Sequence, residues 1–73
     1  SIEIKEYFYA NHNKISELFI KNCDIEIQYI RRPNMLENIE PRPDIVISSG
    51  DILVVVGTQV NLNLFEKYVI NGD

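Results

Sequence analysis

Gly50-Asp51-Ile52-Leu53-Val54-Val55-Val56-Gly57-Thr58, reached through Pro41-Arg42-Pro43-Asp44 and Ile45-Val46-Ile47, decides the fold of this chain. The apolar run from 52 to 56 is too short for an ordinary helix and rich in strand formers. It reads as a central strand buried on both faces, ended by Gly57. Upstream, the prolines at 41 and 43 impose an extended lead-in, because Pro fixes φ and pushes its predecessor out of the helical region. Ile45-Val46-Ile47 then reads as a short strand and Ser48-Ser49-Gly50-Asp51 as the turn joining the two. Downstream, Thr58 suits the N-cap of a helix with Leu62, Phe65 and Val69 on one stripe and Leu64 and Tyr68 beside it; Gly72 stands where such a helix should stop.

Working towards the N-terminus, Ile25, Ile27 and Tyr29 alternate with Glu26, Gln28 and Ile30, the period of a half-buried strand. Before it, Asn13 is a good cap for a short helix carrying Ile15, Leu18, Phe19 and Asn22, ended by Asn22-Cys23-Asp24. Residues 2 to 9 alternate imperfectly: Ile2, Ile4 and Phe8 share one face, with Glu6 interrupting it. Residues 33 to 43 form a long connection from which Met35, Leu36 and Ile39 could tuck back onto the sheet. The order strand, helix, strand, loop, strand, turn, strand, helix predicts an α+β domain of two layers, a mostly antiparallel sheet of about four strands covered by two helices. One helix layer covers one sheet face; a second copy of the chain is expected to cover the other.

Composition narrows the function. With 73 residues the chain is one domain, and chains of this size bury only about 60% of the surface their unfolded form exposes. Cys23 is the single cysteine and His12 the single histidine, so neither an internal disulfide nor a Cys/His zinc site is available, and self-association is the remaining source of stability. A net charge of −4 repels nucleic acid and anionic membrane surfaces. No apolar run approaches the ~20 residues of a spanning helix, and no signal peptide opens the sequence, so direct membrane insertion is not expected and a cytosolic setting is. The chain starts at Ser1, and it is expected to be a piece of a longer protein.

Few side chains suggest chemistry. Arg31-Arg32 is the one paired basic site, able to hold phosphate or carboxylate bidentately or to pair with carboxylates such as Glu40 and Asp44. Glu37, Glu40, Asp44 and Asp51 match no cation-binding loop, and Asp51, in a turn, is expected to bond backbone amides. Cys23 lacks a base within reach, His12 being at the far end of the intervening helix, and no phosphate loop or nucleophile elbow occurs. Tyr7, Phe8 and Tyr9 fit core or dimer packing better than base stacking in an acidic chain. Catalysis is not expected, nor is a metal or a resident cofactor.

In their order and spacing, Lys14-Ile15-x-Glu17-Leu18, Ile30-Arg31-Arg32, Pro41-x-Pro43-Asp44 and Gly50-Asp51-x-Leu53-Val54-Val55-Val56-Gly57 followed by Leu62 and Phe65 resemble the TrkA-C, or RCK-C, regulatory domain of potassium channels, potassium uptake systems and cation antiporters. The resemblance spans nearly the whole of residues 1–73. It implies a non-catalytic regulatory domain that senses a ligand and pairs with a second copy. Such a domain sits on the cytosolic side of a membrane-embedded cation channel or transporter, in the same polypeptide or complex. The alternatives are a dimerisation module without ligand, and a small-molecule sensor attached to a protein other than a transporter. In some members the ligand between copies is cyclic di-AMP. The resemblance carries ligand contact onto Ile15, Glu26, Ile27 and Pro41, and a basic contact onto Lys21, with Ile20 an equal match in register; Arg31 and Arg32 are the further candidates. Glu26 departs from the pattern, since nucleotide-binding members tend to place an amide there and a carboxylate repels a phosphodiester.

Overall fold

The computed structural model describes residues 1–18 and 24–73. Three antiparallel strands form its sheet, β1 (Ile2–Glu3), β2 (Ile25–Arg31) and β3 (Ile52–Gly57), in the spatial order β1-β3-β2. The apolar run that opened the reading is therefore the central strand. Ile2 and Ile30 flank Leu53 in register, and all three are buried in one row. The neighbouring row, Glu3, Ile52 and Arg31, points to the opposite face, as the two-residue period of a strand requires.

Helix α1 (Gln59–Asn71) packs Phe65 and Val69 against the Leu53 face, joining Ile4, Ala10, Ile15, Leu18, Ile27 and Ile47 in one core. Its ends are capped as the sequence indicates. Thr58 keeps extended backbone and its hydroxyl accepts from the Asn61 amide at 3.2 Å. Gly72 takes the left-handed conformation (φ 83°) and donates to the Tyr68 carbonyl. Two carbonyls that a helix C-terminus leaves unpaired, Val69 and Ile70, accept from the Ala10 and Tyr9 amides at 3.0 Å. A Cβ at Gly72 would fall 2.7 Å from the Tyr9 ring, so glycine is needed there twice over.

Four expectations change in detail. The first strand ends at Glu3, because a turn at Lys5–Phe8 carries the chain onto the end of α1. The first helix is a 3₁₀ turn at Ile15–Leu18; its expected continuation, with Phe19, Lys21, Asn22 and Cys23, lies outside the described residues. Ile45–Ile47 is not a sheet strand. Its backbone bonds go to His12, Asn13 and Ile15 around a single bridge, Lys14 to Val46, so the sheet has three strands rather than about four. After the Ser48–Asp51 turn the chain meets Ile4, not Ile47, through Gly50 and Asp51. Finally, a bulge between Ile27 and Tyr29 shifts the β2 register, sending Ile30 into the core and Tyr29 to the outer face, the reverse of strict alternation.

That outer face is only partly covered within one chain. Ile52, Val54 and Tyr29 are half-buried and Val56 is 50% exposed. The expectation of a strand buried on both faces thus holds on the α1 side alone.

Tyr68 ties α1 to the 3₁₀ turn by donating to the Glu17 carbonyl at 2.8 Å, with its ring edge-on to Tyr9. Burial raises its phenol above the ordinary 10.0, and Tyr9 and Glu17 add to the rise. A raised pKa means that the folded state keeps a proton the unfolded chain gives up. The resulting stability is fully present below pH 10.0 and is lost as pH climbs through the folded value. Melting curves from neutral pH to above pH 10.0 should therefore show an alkaline loss that Tyr68→Phe reduces, with the variant paying about 1 kcal/mol at neutral pH for the missing hydrogen bond. An unchanged alkaline limb in the variant would assign the loss to other groups.

Candidate functional site

A cleft of about 630 Å³ lies between the outer face of the sheet and the loop that follows β2. Tyr29 and Ile52 supply sheet surface, Arg31 and Arg32 the end of β2, and Pro33, Met35, Leu36, Glu37 and Asn38 the loop. This loop is short of internal support. Ile39 returns to β2 through two backbone bonds with Ile30, at 2.8 and 3.0 Å, while Met35 is 52% exposed and Leu36 fully so.

The two arginines have different fates. The Arg32 Nε donates to both Asp51 carboxylate oxygens at 3.2 and 3.3 Å, and a terminal nitrogen donates to the Val46 carbonyl. Asp51, only 1% exposed, also accepts from the Ser48 amide at 2.9 Å. Its expected role of bonding turn amides is found, with an ion pair added. Arg31 is exposed and has no ion-pair partner among the described residues. Glu40 and Asp44 pair with neither arginine; Asp44 lies 4.0 Å from Arg42.

The remaining site candidates scatter. Ile15 and Ile27 are core residues, 1% and 8% exposed. Glu26 is exposed on the outer face opposite Val56, and Pro41 is half-buried outside the cleft. Lys21 lies outside the described residues. Of the six described candidates, only Arg31 and Arg32 come together in the cleft. Tyr29, Glu37 and Ile52 were not singled out as site residues; the signal was Met35-Leu36, an apolar pair in a polar loop with no periodic partner. His12 is exposed and held in the left-handed region (φ 75°), its amide donating to Ile47. Among the described residues no group of His, Cys, Asp or Glu could hold a metal, and no helix is long and apolar enough to cross a membrane.

An antiparallel sheet with one covering helix and a cleft on its open side defines a small α+β domain. The family described as the TrkA-C domain matches residues 9–70, and the chain belongs to it. A solved structure described as "Structure of RCK domain with cda" is 28% identical with a TM-score of 0.68, covering 93% of this chain and 94% of that one. No curated protein matches. Domains of this family are regulatory parts of ion-transport proteins and are generally non-catalytic.

Proposed function

We propose that the chain is the ligand-sensing and dimerisation domain of a potassium or other monovalent-cation transport protein, acting on the cytosolic side of the membrane. The observation that carries this is the outer face of the sheet, an apolar stripe of Ile52, Val54 and Val56 left half-covered in a member of the TrkA-C family. A second copy laid on that stripe would bury it. A two-fold axis across the strands at Val54 would set Ile52 of each copy over Val56 of the other, a self-complementary match of the kind that symmetric dimers require. A ligand that fits one arrangement of the pair better than another would bias the attached transporter, and only such differential affinity can do so.

Cyclic di-AMP is the first ligand to test, since the similar RCK domain is described with "cda". The exposed Glu26 carboxylate opposes a phosphodiester and favours the second reading, a dimerisation module without that ligand. Sedimentation velocity at tens of micromolar, with and without cyclic di-AMP, is expected to show a dimer whose affinity the dinucleotide changes little. Val54→Lys should turn it into a monomer by placing a charge in the contact. A wild-type monomer under both conditions would remove the dimerisation half of the proposal.

A further inference from the structure

We propose that the cleft beside β2 binds an apolar or aromatic α-amino acid as a zwitterion. This deepens the ligand-sensing reading and rests on it. The cleft's volume lies within the roughly 300–1,000 Å³ of small-molecule sites, and its charges decide what it takes. Four charged groups besides Asp51 bear on it. Arg32 is committed to Asp51 and Glu3 to Lys5, whose ammonium is 3.1 Å away. That leaves Arg31 from the strand and Glu37 from the loop, which pair neither with each other nor with any other described residue.

Opposite unpaired charges in one cleft select against simple ions. A lone anion attracted by Arg31 meets the Glu37 carboxylate, and a lone amine attracted by Glu37 meets the Arg31 guanidinium. A zwitterion satisfies both: its carboxylate accepts from the planar guanidinium fork and its ammonium donates to Glu37. The third group of an α-amino acid then needs apolar surface. Tyr29 offers it from the sheet, and Met35 and Leu36 from the loop, where they are otherwise left to water. Val54 and Val56 are not among the lining residues, so most of the stripe assigned to a second copy stays outside the cleft.

The test is titration of the isotope-labelled chain by amide NMR with L-phenylalanine, phenylacetate and phenethylamine, repeated on Arg31→Gln and Glu37→Gln. Both positions are exposed, so the variants are expected to fold, and their melting temperatures check this. The expected result is saturable shifts at Tyr29, Ile52 and the loop amides. L-phenylalanine should bind about tenfold tighter than either singly charged analogue, and each variant should lose about that factor. Equal binding of the three compounds, binding that neither variant weakens, or no saturation at about 10 mM overturns the inference. Sedimentation of the same samples separates the two claims: a dimer that persists while the titration shows no saturable binding leaves the dimerisation reading standing while this one falls.

Discussion

Phe65→Ala is expected to leave the domain at the edge of unfolding. Phe65 is the largest fully buried side chain among the described residues, 1% exposed, and with Val69 it packs α1 against the sheet. Truncating a buried Phe removes its transfer free energy and leaves a cavity, together costing about 3–5 kcal/mol. A domain of 73 residues has a total stability on the order of 5 kcal/mol. Urea unfolding followed by circular dichroism should show the midpoint collapse, and the melting temperature should fall by roughly 15–30 °C. Val60→Ala is the control on the same helix. At 69% exposed, Val60 should change stability by less than about 0.5 kcal/mol. Similar losses for the two would mean that α1 does not pack on the sheet as described. If the domain is stabilised by a second copy, the deficit of Phe65→Ala will also shrink as protein concentration rises.

The place of Phe65 on the buried stripe of α1 was legible in the sequence, as were both caps of α1 and the central place of residues 52 to 56. Each of these rests on short-range rules: a stripe at helical spacing, a hydroxyl before the first turn, a glycine after the last, a run of strand formers between turn residues. What was not legible depended on partners distant in the chain. Ile45–Ile47 has the composition of a sheet strand, yet its hydrogen bonds go to residues 12 to 15. The bulge at Gln28 cannot be seen in an alternation that looks regular, and it decides whether Tyr29 or Ile30 enters the core.

The site was less legible still, because a cleft is made by how a loop lies over a sheet. Arg31-Arg32 could be picked out as a pair, but only the fold shows that one is tied to Asp51 and the other faces the cleft without an ion pair. In the sequence Glu37 is only one of several scattered acids. As a lining residue of the same cleft as Arg31 it has a specific meaning, since the other charged lining residues, Glu3 and Arg32, have ion-pair partners.

Arg32→Ala is expected to cost more than Asp51→Ala, although both break the same ion pair. The Arg32 side chain is 30% exposed and that of Asp51 only 2%. Removing Asp51 frees a guanidinium that can still reach water and the Val46 carbonyl, so the loss is chiefly the pair itself and the Ser48 amide left without its acceptor, about 2–3 kcal/mol. Removing Arg32 strands a buried carboxylate with one backbone amide for company, which costs about 3–5 kcal/mol. The double variant should lose less than the sum of the two, by roughly 1–3 kcal/mol, because the second deletion removes the group the first had stranded. Arg32→Lys should recover little, since a point charge cannot reach both Asp51 and the Val46 carbonyl as the guanidinium does. Urea titration of the wild type and the four variants checks the order. Additive losses, or a larger cost for Asp51→Ala, would show that the pair is not the clamp joining the end of β2 to the turn before β3. With that clamp gone, the loop that begins at Pro33 loses its fixed origin, and the cleft it forms with the sheet loses its shape.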